Sequence, residues 1–264
     1  MTSSSILFIT AFKDLNRETW KLYSRNKEVY FEKFCNYALN TKYKTIVYIE
    51  NDMLNKCLEI LKNKNRVESF PEYIIFKDLN LVDTFLNKYE NTEETIINSD
   101  SYKNKIPPSR KLNPEHIYAS YNLINHSKIN FVKDAKDSYP NYEFYSWIDF
   151  GINDIPSLNL NLENSLYNKV TYALITKLPN SYIHPDIMLS SEIIFFAGSQ
   201  FIVHKNVVDD YKNKYEEILL ELQKQNVSDD DQNVVLQIYF KYKDLFNPIY
   251  IGSWFSLFSK FLNN

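Results

Sequence analysis

Three stretches of the chain carry side chains whose type and spacing could do chemistry. Trp147-Ile-Asp-Phe-Gly151 closes an apolar run, so Asp149 stands where a strand of an open α/β sheet offers a carboxylate to a ligand beyond its carboxyl end. The glycine that follows lets a ligand or cation come close to the backbone. An aspartate that simply ends a strand–turn accounts for the same residues. The Asp-Phe-Gly letters do not make a kinase, because the chain has no Gly-rich loop, no paired strand lysine and no His-Arg-Asp loop.

The second stretch is Ser228-Asp-Asp-Asp-Gln232. Carboxylates in the first turn of a helix suit the positive end of its dipole, and Ser228 with Asp231 has nearly a capping spacing. One of these acids could equally serve as a base or hold an acceptor at the mouth of a cleft. Asp229-x-Asp231 matches a metal motif by letter but lacks the preceding strand. The third stretch is Ile9-Thr-Ala-Phe12 with Arg17 and Trp20 just beyond. A strand end of this kind can hold a base or ribose, or be an ordinary turn. Lys128 and Arg110 are candidate partners for a phosphate. His116, His126, His184 and His204 include no i, i+4 pair, so there is no helical zinc motif.

Composition narrows the classes. The 264 residues carry a net charge of −3, 24% charged and 44% hydrophobic residues, which fits a folded chain and not a disordered one. The charge gives no basic footprint for nucleic acid. Two cysteines, Cys35 and Cys57, form neither a CxxC nor a Cys/His cluster, which excludes a zinc ribbon and a disulfide scaffold. No secretory signal or membrane-spanning run is read, so the expectation is a reduced, cytoplasmic protein. Walker, Gly-x-Ser-x-Gly and Rossmann glycine motifs are absent. Only three glycines occur, against a usual ~7%, a bias expected of an AT-rich genome. Gly151, Gly198 and Gly252 are therefore read as positions where the backbone excludes a Cβ.

These residues must be held by regular elements. Apolar runs at 6–12, 45–49, 72–76 and 142–150 predict strands, with helical stretches between them at 53–64 and up to Tyr89. Asp14 and Asn16 are expected to cap a helix carrying Trp20, Tyr23, Tyr30, Phe31 and Phe34. Such alternation predicts a mostly parallel sheet covered on both faces. Residues 91–113 are polar, contain Pro107-Pro108 and show no period, so they are expected to form a mobile surface loop. A helix capped by Asn113 is predicted from Pro114 through Ala135. Further strands are expected at 170–176, 192–196 and 201–204, the last two joined by a turn at Gly198. Helices are expected at 209–225 and from the acidic stretch to Tyr242. The aromatic tail, residues 249–262, reads as core, with a membrane or acceptor surface as the other option. No repeat or linker divides residues 1–264, which are read as one domain.

Taken in order, Phe8-Ile-Thr-Ala-Phe-Lys-Asp-Leu-Asn-Arg17 with Trp20, Asn113-Pro-Glu115 with Asn125 to Lys128, Trp147 to Gly151, Ala197-Gly-Ser-Gln200 and Asp230-Asp-Gln232 resemble the HtrL/YibB-type glycosyltransferases. The likeness runs through nearly the whole chain. It implies a GT-A-like α/β fold with a Rossmann-type sheet, and transfer of a sugar from a nucleotide diphosphate sugar, most simply UDP-glucose or a similar UDP-hexose, to a hydroxyl of a glycan, lipid or protein. Under the resemblance Thr10, Ala11, Phe12 and Arg17 hold the nucleoside, and Lys128 faces the donor. Asp149 takes the first place of an Asp-x-Asp motif and binds Mn²⁺ or Mg²⁺. The Gly198–Gln200 turn approaches the sugar, Asp231 acts as base beside the acceptor, and Asp230 and Gln232 contact that acceptor. Residues 91–113 would close over the donor. One departure stands out: the second acid of the motif is Gly151 here. That departure and the aromatic tail support the alternative of a non-catalytic nucleotide-sugar or glycan binding protein on the same scaffold.

Overall fold

The computed structural model describes residues 6–65, 69–152, 160–162 and 164–262. Its frame is a seven-stranded sheet of β1 (Ile6–Phe12), β2 (Thr45–Ile49), β3 (Ile74–Asp78), β4 (Phe144–Ile148), β5 (Val170–Leu174), β6 (Phe196–His204) and β7 (Ile249–Tyr250). The strands lie in the order β3-β2-β1-β4-β6-β5-β7. Strands β1, β2, β3 and β4 pair in parallel, as do β5 and β7, whereas β6 runs antiparallel to both neighbours. The architecture is a Rossmann-like α/β fold with a mostly parallel sheet.

Strand β1 shows why its sequence reads as an unbroken apolar run: both faces are covered. Leu7 and Ile9 join one core cluster, while Ile6, Phe8 and Phe12 join the other. On the first face lie α3 (Phe85–Asn98), α5 (Ala119–His126), α6 (Lys128–Ser138), α8 (Val208–Lys224) and α9 (Asp231–Lys241). On the second lie α1 (Lys27–Asn40), α2 (Asn51–Asn65) and the tail. Cys35 and Cys57 are free thiols buried there, with sulfurs 3.8 Å apart.

The structure departs from the sequence reading in four places that matter to the site. The first helix begins after Asn26, whose side chain accepts from Glu28 N, and not at Asp14 or Asn16. Asp14 makes an Asx turn onto Asn16 N, and Asn16 itself is left-handed at φ 51°, so Trp20 and Tyr23 lie on an irregular loop. The long helix expected from Pro114 is instead three pieces: a 3-10 turn at Pro114–His116 that the Asn113 side chain does not cap, then α5, then α6 after a break at Ser127. The Ser127 hydroxyl donates to the Leu123 carbonyl and accepts from Leu86 N, a back-bond that bends helices.

Residues 91–113 are not a surface loop. They continue α3 to Asn98, form a short helix α4 (Asp100–Lys103), and bury Glu93, Ile96, Ile97, Tyr102, Ile106 and Arg110. Periodicity failed there because a buried glutamate stands on the apolar face, satisfied by Gln223 and Ser228. Gly198 lies within an uninterrupted β6, not at a turn.

The tail is core. Leu257, Phe258 and Phe261 are buried, and Phe258 meets Phe8 edge-on at 5.3 Å. Phe258→Ala should therefore cost roughly 3–5 kcal/mol of stability, read as a lowered urea midpoint. A midpoint unchanged from the parent would show that the tail does not pack there.

Candidate functional site

Strand order reverses between β1 and β4, the switch point at which open α/β sheets bind ligands. A cavity of about 740 Å³ opens beside their carboxyl ends, with Ala11, Phe12, Arg17, Lys128, Asp149 and Gly151 in its wall. Lys128 is the first residue of α6, because the chain breaks at Ser127 just before it. Its ammonium lies 2.8 Å from Asp231 Oδ2 and 3.3 Å from Asp149 Oδ1, and donates to the Gly198 carbonyl at 2.9 Å. One cation thus ties β4, β6, α6 and α9 together.

Burial works against the charge of Lys128, but Asp149 and Asp231 outweigh it and hold the ammonium above its ordinary range. Burial pushes the Asp149 carboxyl upward, opposed by Lys128 and by the Trp147 indole N–H at 2.8 Å. The Asp149 side chain is nevertheless 41% exposed, so its carboxylate is recessed in the wall and not sealed in the core. Gly198 permits the arrangement. A Cβ there would fall 2.6–2.9 Å from the Asp231 carboxylate, so only glycine lets the aspartate lie against β6.

The opposite wall is aromatic and cationic. The Arg17 guanidinium lies 4.9 Å from the Trp20 ring centroid and 5.7 Å from that of Tyr121, and donates to the Tyr30 hydroxyl at 2.8 Å. Trp20 stacks on Tyr118 at 4.4 Å. Arg25 donates to the same Tyr30 hydroxyl at 3.1 Å. Tyr30 in turn packs on Gly151, where an added Cβ would meet its ring and carbonyl at 3.2 Å and φ is +84°. Tyr30, Arg25 and Tyr121 were missed as site residues. The sequence marks Tyr30 only as one aromatic on a helical face, and nothing in the local spacing joins it to Gly151.

The acidic turn is capped by Asp230, which accepts from Gln232 N at 3.1 Å, and not by Ser228. Asp229 accepts from Asp230 N at 2.9 Å and Asn233 Nδ2 at 2.6 Å, and burial pushes its carboxyl up to about 7. Asp230 is raised too, by burial and then by Asp229 and Asp231. Ser228 anchors the turn: its carbonyl accepts from Tyr102, and its hydroxyl contacts Asn122 and Glu93.

Several expected contacts lie elsewhere. Thr10 is buried in β1, and its hydroxyl has no partner among the described residues. Gln200 is buried and accepts from Leu257 N at 3.1 Å, so it fastens the tail and does not approach a sugar. Arg110 donates to the carbonyls of Met188, Leu189 and Ser191 at the end of α7 (Pro185–Ser190) and pairs with Glu115, which spends it as a cap instead of a phosphate ligand. Asp230, Asp231 and Gln232 are not among the residues lining the cavity; Asp231 reaches its wall through Lys128. His116 and His126 are buried, bonded to Tyr102 and Tyr215, and lowered by burial to about 4 and about 3.

Among the described residues, the donors beside the cavity do not fit a resident dication. Among the described residues no three His, Cys, Asp or Glu side chains are grouped to hold a metal. Asp149 is a single carboxylate whose Oδ1 already faces Lys128 and Trp147. An ammonium about 4 Å from a doubly charged ion costs roughly 8 kcal/mol at an effective dielectric near 20. Asp149 and Asp231 must offset that repulsion while already compensating Lys128.

The titration of Asp229 has a definite sign. Between its ordinary 3.8 and about 7 the folded chain keeps a proton that the unfolded chain has lost, so stability falls as pH rises through that window. Urea melts at pH 5 and pH 8 should show the parent losing more stability than Asp229→Asn; equal losses would refute the assignment. Gly198→Ala should displace Asp231 from Lys128 and lower stability by roughly 1–3 kcal/mol, measurable in the same melts.

No helix among the described residues is long and apolar enough to cross a membrane. The chain is 26% identical over 287 residues to Protein HtrL of Escherichia coli (strain K12), covering 99% of this chain and 94% of that protein. Residues 4–263 match the family described as "Bacterial protein of unknown function (HtrL_YibB)", and the chain belongs to that family.

Proposed function

We propose that the protein is a glycosyltransferase that moves a sugar from a nucleotide diphosphate sugar, most simply a UDP-hexose, to an acceptor hydroxyl. The observation that carries this reading is the Lys128–Asp149–Asp231 cluster beside a switch-point cavity. The cavity is large enough for a drug-sized ligand, as binding sites of this class usually are.

In this reading the nucleoside lies against Ala11 and Phe12, Arg17 stands between it and the diphosphate, and the sugar is directed toward Asp149 and Lys128. The anomeric C–O bond breaks with its electron pair left on the β-phosphate oxygen, while the sugar becomes oxocarbenium-like. A new C–O bond forms to the acceptor oxygen, whose proton passes to a carboxylate; Asp149, which lines the cavity, is the candidate base in place of the expected Asp231, which is buried and acts through Lys128. The described residues make no chelating set for Mn²⁺ or Mg²⁺, so no step here is routed through a metal. Residues 91–113, anchored in the core by six buried side chains, are not assigned the closing movement expected of them.

Purified protein incubated with a panel of nucleotide sugars should release the nucleoside diphosphate. Asp149→Ala should lower that turnover by at least ~100-fold with an unchanged circular dichroism spectrum; unchanged turnover would remove Asp149 from the reaction. Asp231→Asn should lose turnover by a similar factor yet bind the donor as the parent does in calorimetry. Gly151, standing where a second acid was expected, favours one other reading, a binding protein without turnover. Donor binding with no product over long incubation would select that reading.

A further inference from the structure

We infer that the leaving diphosphate is neutralised by the guanidiniums of Arg17 and Arg25 on one wall of the cavity, so that the reaction needs no divalent metal. The inference rests on the reading of the cavity as a nucleotide diphosphate sugar site.

Three independent features support it. Lys128 holds the place between Asp149 and Asp231, the two carboxylates that a metal would otherwise draw on. At the position after Asp149 where a second chelating acid would stand, Gly151 instead packs against Tyr30, and the Tyr30 hydroxyl gathers two guanidiniums. Those guanidiniums are free to take an anion. Neither Arg17 nor Arg25 pairs with a carboxylate among the described residues, and the buried Nε of Arg17 has no hydrogen-bond partner there. By contrast Lys13 and Lys27, on the same cavity wall, are paired with Glu50 and with Asp14 and Glu18.

The chemistry requires positive charge where these residues stand. When the anomeric C–O bond breaks, its electron pair stays with the β-phosphate oxygen, so the nucleoside diphosphate leaves with one more negative charge than it carried in the donor. Guanidinium donors already in place meet that charge as it develops, and planar guanidiniums bind phosphate oxygens in pairs. Oxygen and proton balance without a metal: the acceptor loses a proton to the base and the diphosphate keeps the electron pair.

The test compares UDP, GDP and ADP with their nucleosides by calorimetry in chelator (EDTA), and follows nucleoside diphosphate release in chelator or Mn²⁺. Arg25 is exposed, so Arg25→Ala should fold like the parent. The expected result is a diphosphate that binds in chelator within ~2-fold of its affinity in Mn²⁺, and turnover that survives chelation. Arg25→Ala should weaken diphosphate binding by ~10-fold or more while leaving nucleoside binding unchanged. Binding or turnover that appears only with Mn²⁺ would overturn the metal-free assignment while leaving the transferase reading intact. An equal loss for diphosphate and nucleoside would remove Arg25 from the phosphate site. If no nucleotide, nucleoside or nucleotide sugar binds under either condition, the transferase reading falls, and this inference falls with it.

Discussion

A buried ammonium between two carboxylates organises this molecule. Lys128 touches the end of β4 through Asp149, the start of α9 through Asp231 and the middle of β6 through the Gly198 carbonyl. Taking three charges out of water is costly unless each is matched, and removing one partner from such a set leaves an uncompensated charge. The elements around it are accordingly built to keep the three together. The helix break at Ser127 makes Lys128 the first residue of α6, and the missing Cβ at Gly198 lets Asp231 lie against the strand. These two local choices, a serine back-bond and a glycine, set where the charge stands.

Behind the cluster lies a second polar layer. Glu93 on α3, Gln223 on α8, Ser228 and Asn122 on α5 are joined by hydrogen bonds, and Tyr102 donates to the Ser228 carbonyl. This layer fixes the chain just ahead of Asp229, Asp230 and Asp231, three consecutive acids that repel one another when charged. Burial and mutual repulsion raise Asp229 and Asp230, so part of the negative charge is absorbed as protons. Asp231 differs from its neighbours in having a cation beside it.

Strands β1 to β5 and the position of Asp149 were legible because a doubly covered sheet writes itself as short apolar runs, whereas β6 was read as two strands split at Gly198 and β7 was not read as a strand. The family followed from motifs in order along the chain, and the residues of three of them, Arg17, Lys128 and Asp149, do meet at one cavity. Other parts were illegible for identifiable reasons. Glu93 on a buried helical face erased the period of residues 91–113. Gly198 reads as a turn, yet it serves a close approach across β6 from an aspartate more than thirty residues away, which no local spacing reveals. Thr10 and Gln200 lie in family-like motifs but face the interior, since a strand's alternate side chains serve opposite faces. Arg110 looks like a phosphate ligand by type, and only the structure shows its donors spent on carbonyls and Glu115.

The same accounting explains why charge in this chain must be judged by pairing and not by number. A net charge of −3 gives no hint of an anion site, and most lysines near the cavity are consumed by neighbouring acids. What distinguishes Arg17 and Arg25 is that both point to a neutral acceptor, the Tyr30 hydroxyl, which orients guanidiniums without cancelling their charge. A side chain of any size at Gly151 would press on Tyr30 at a backbone angle that L-residues rarely adopt. The glycine that breaks the acidic motif is thus the residue that leaves room for the tyrosine, and through it for the two guanidiniums that donate to its hydroxyl.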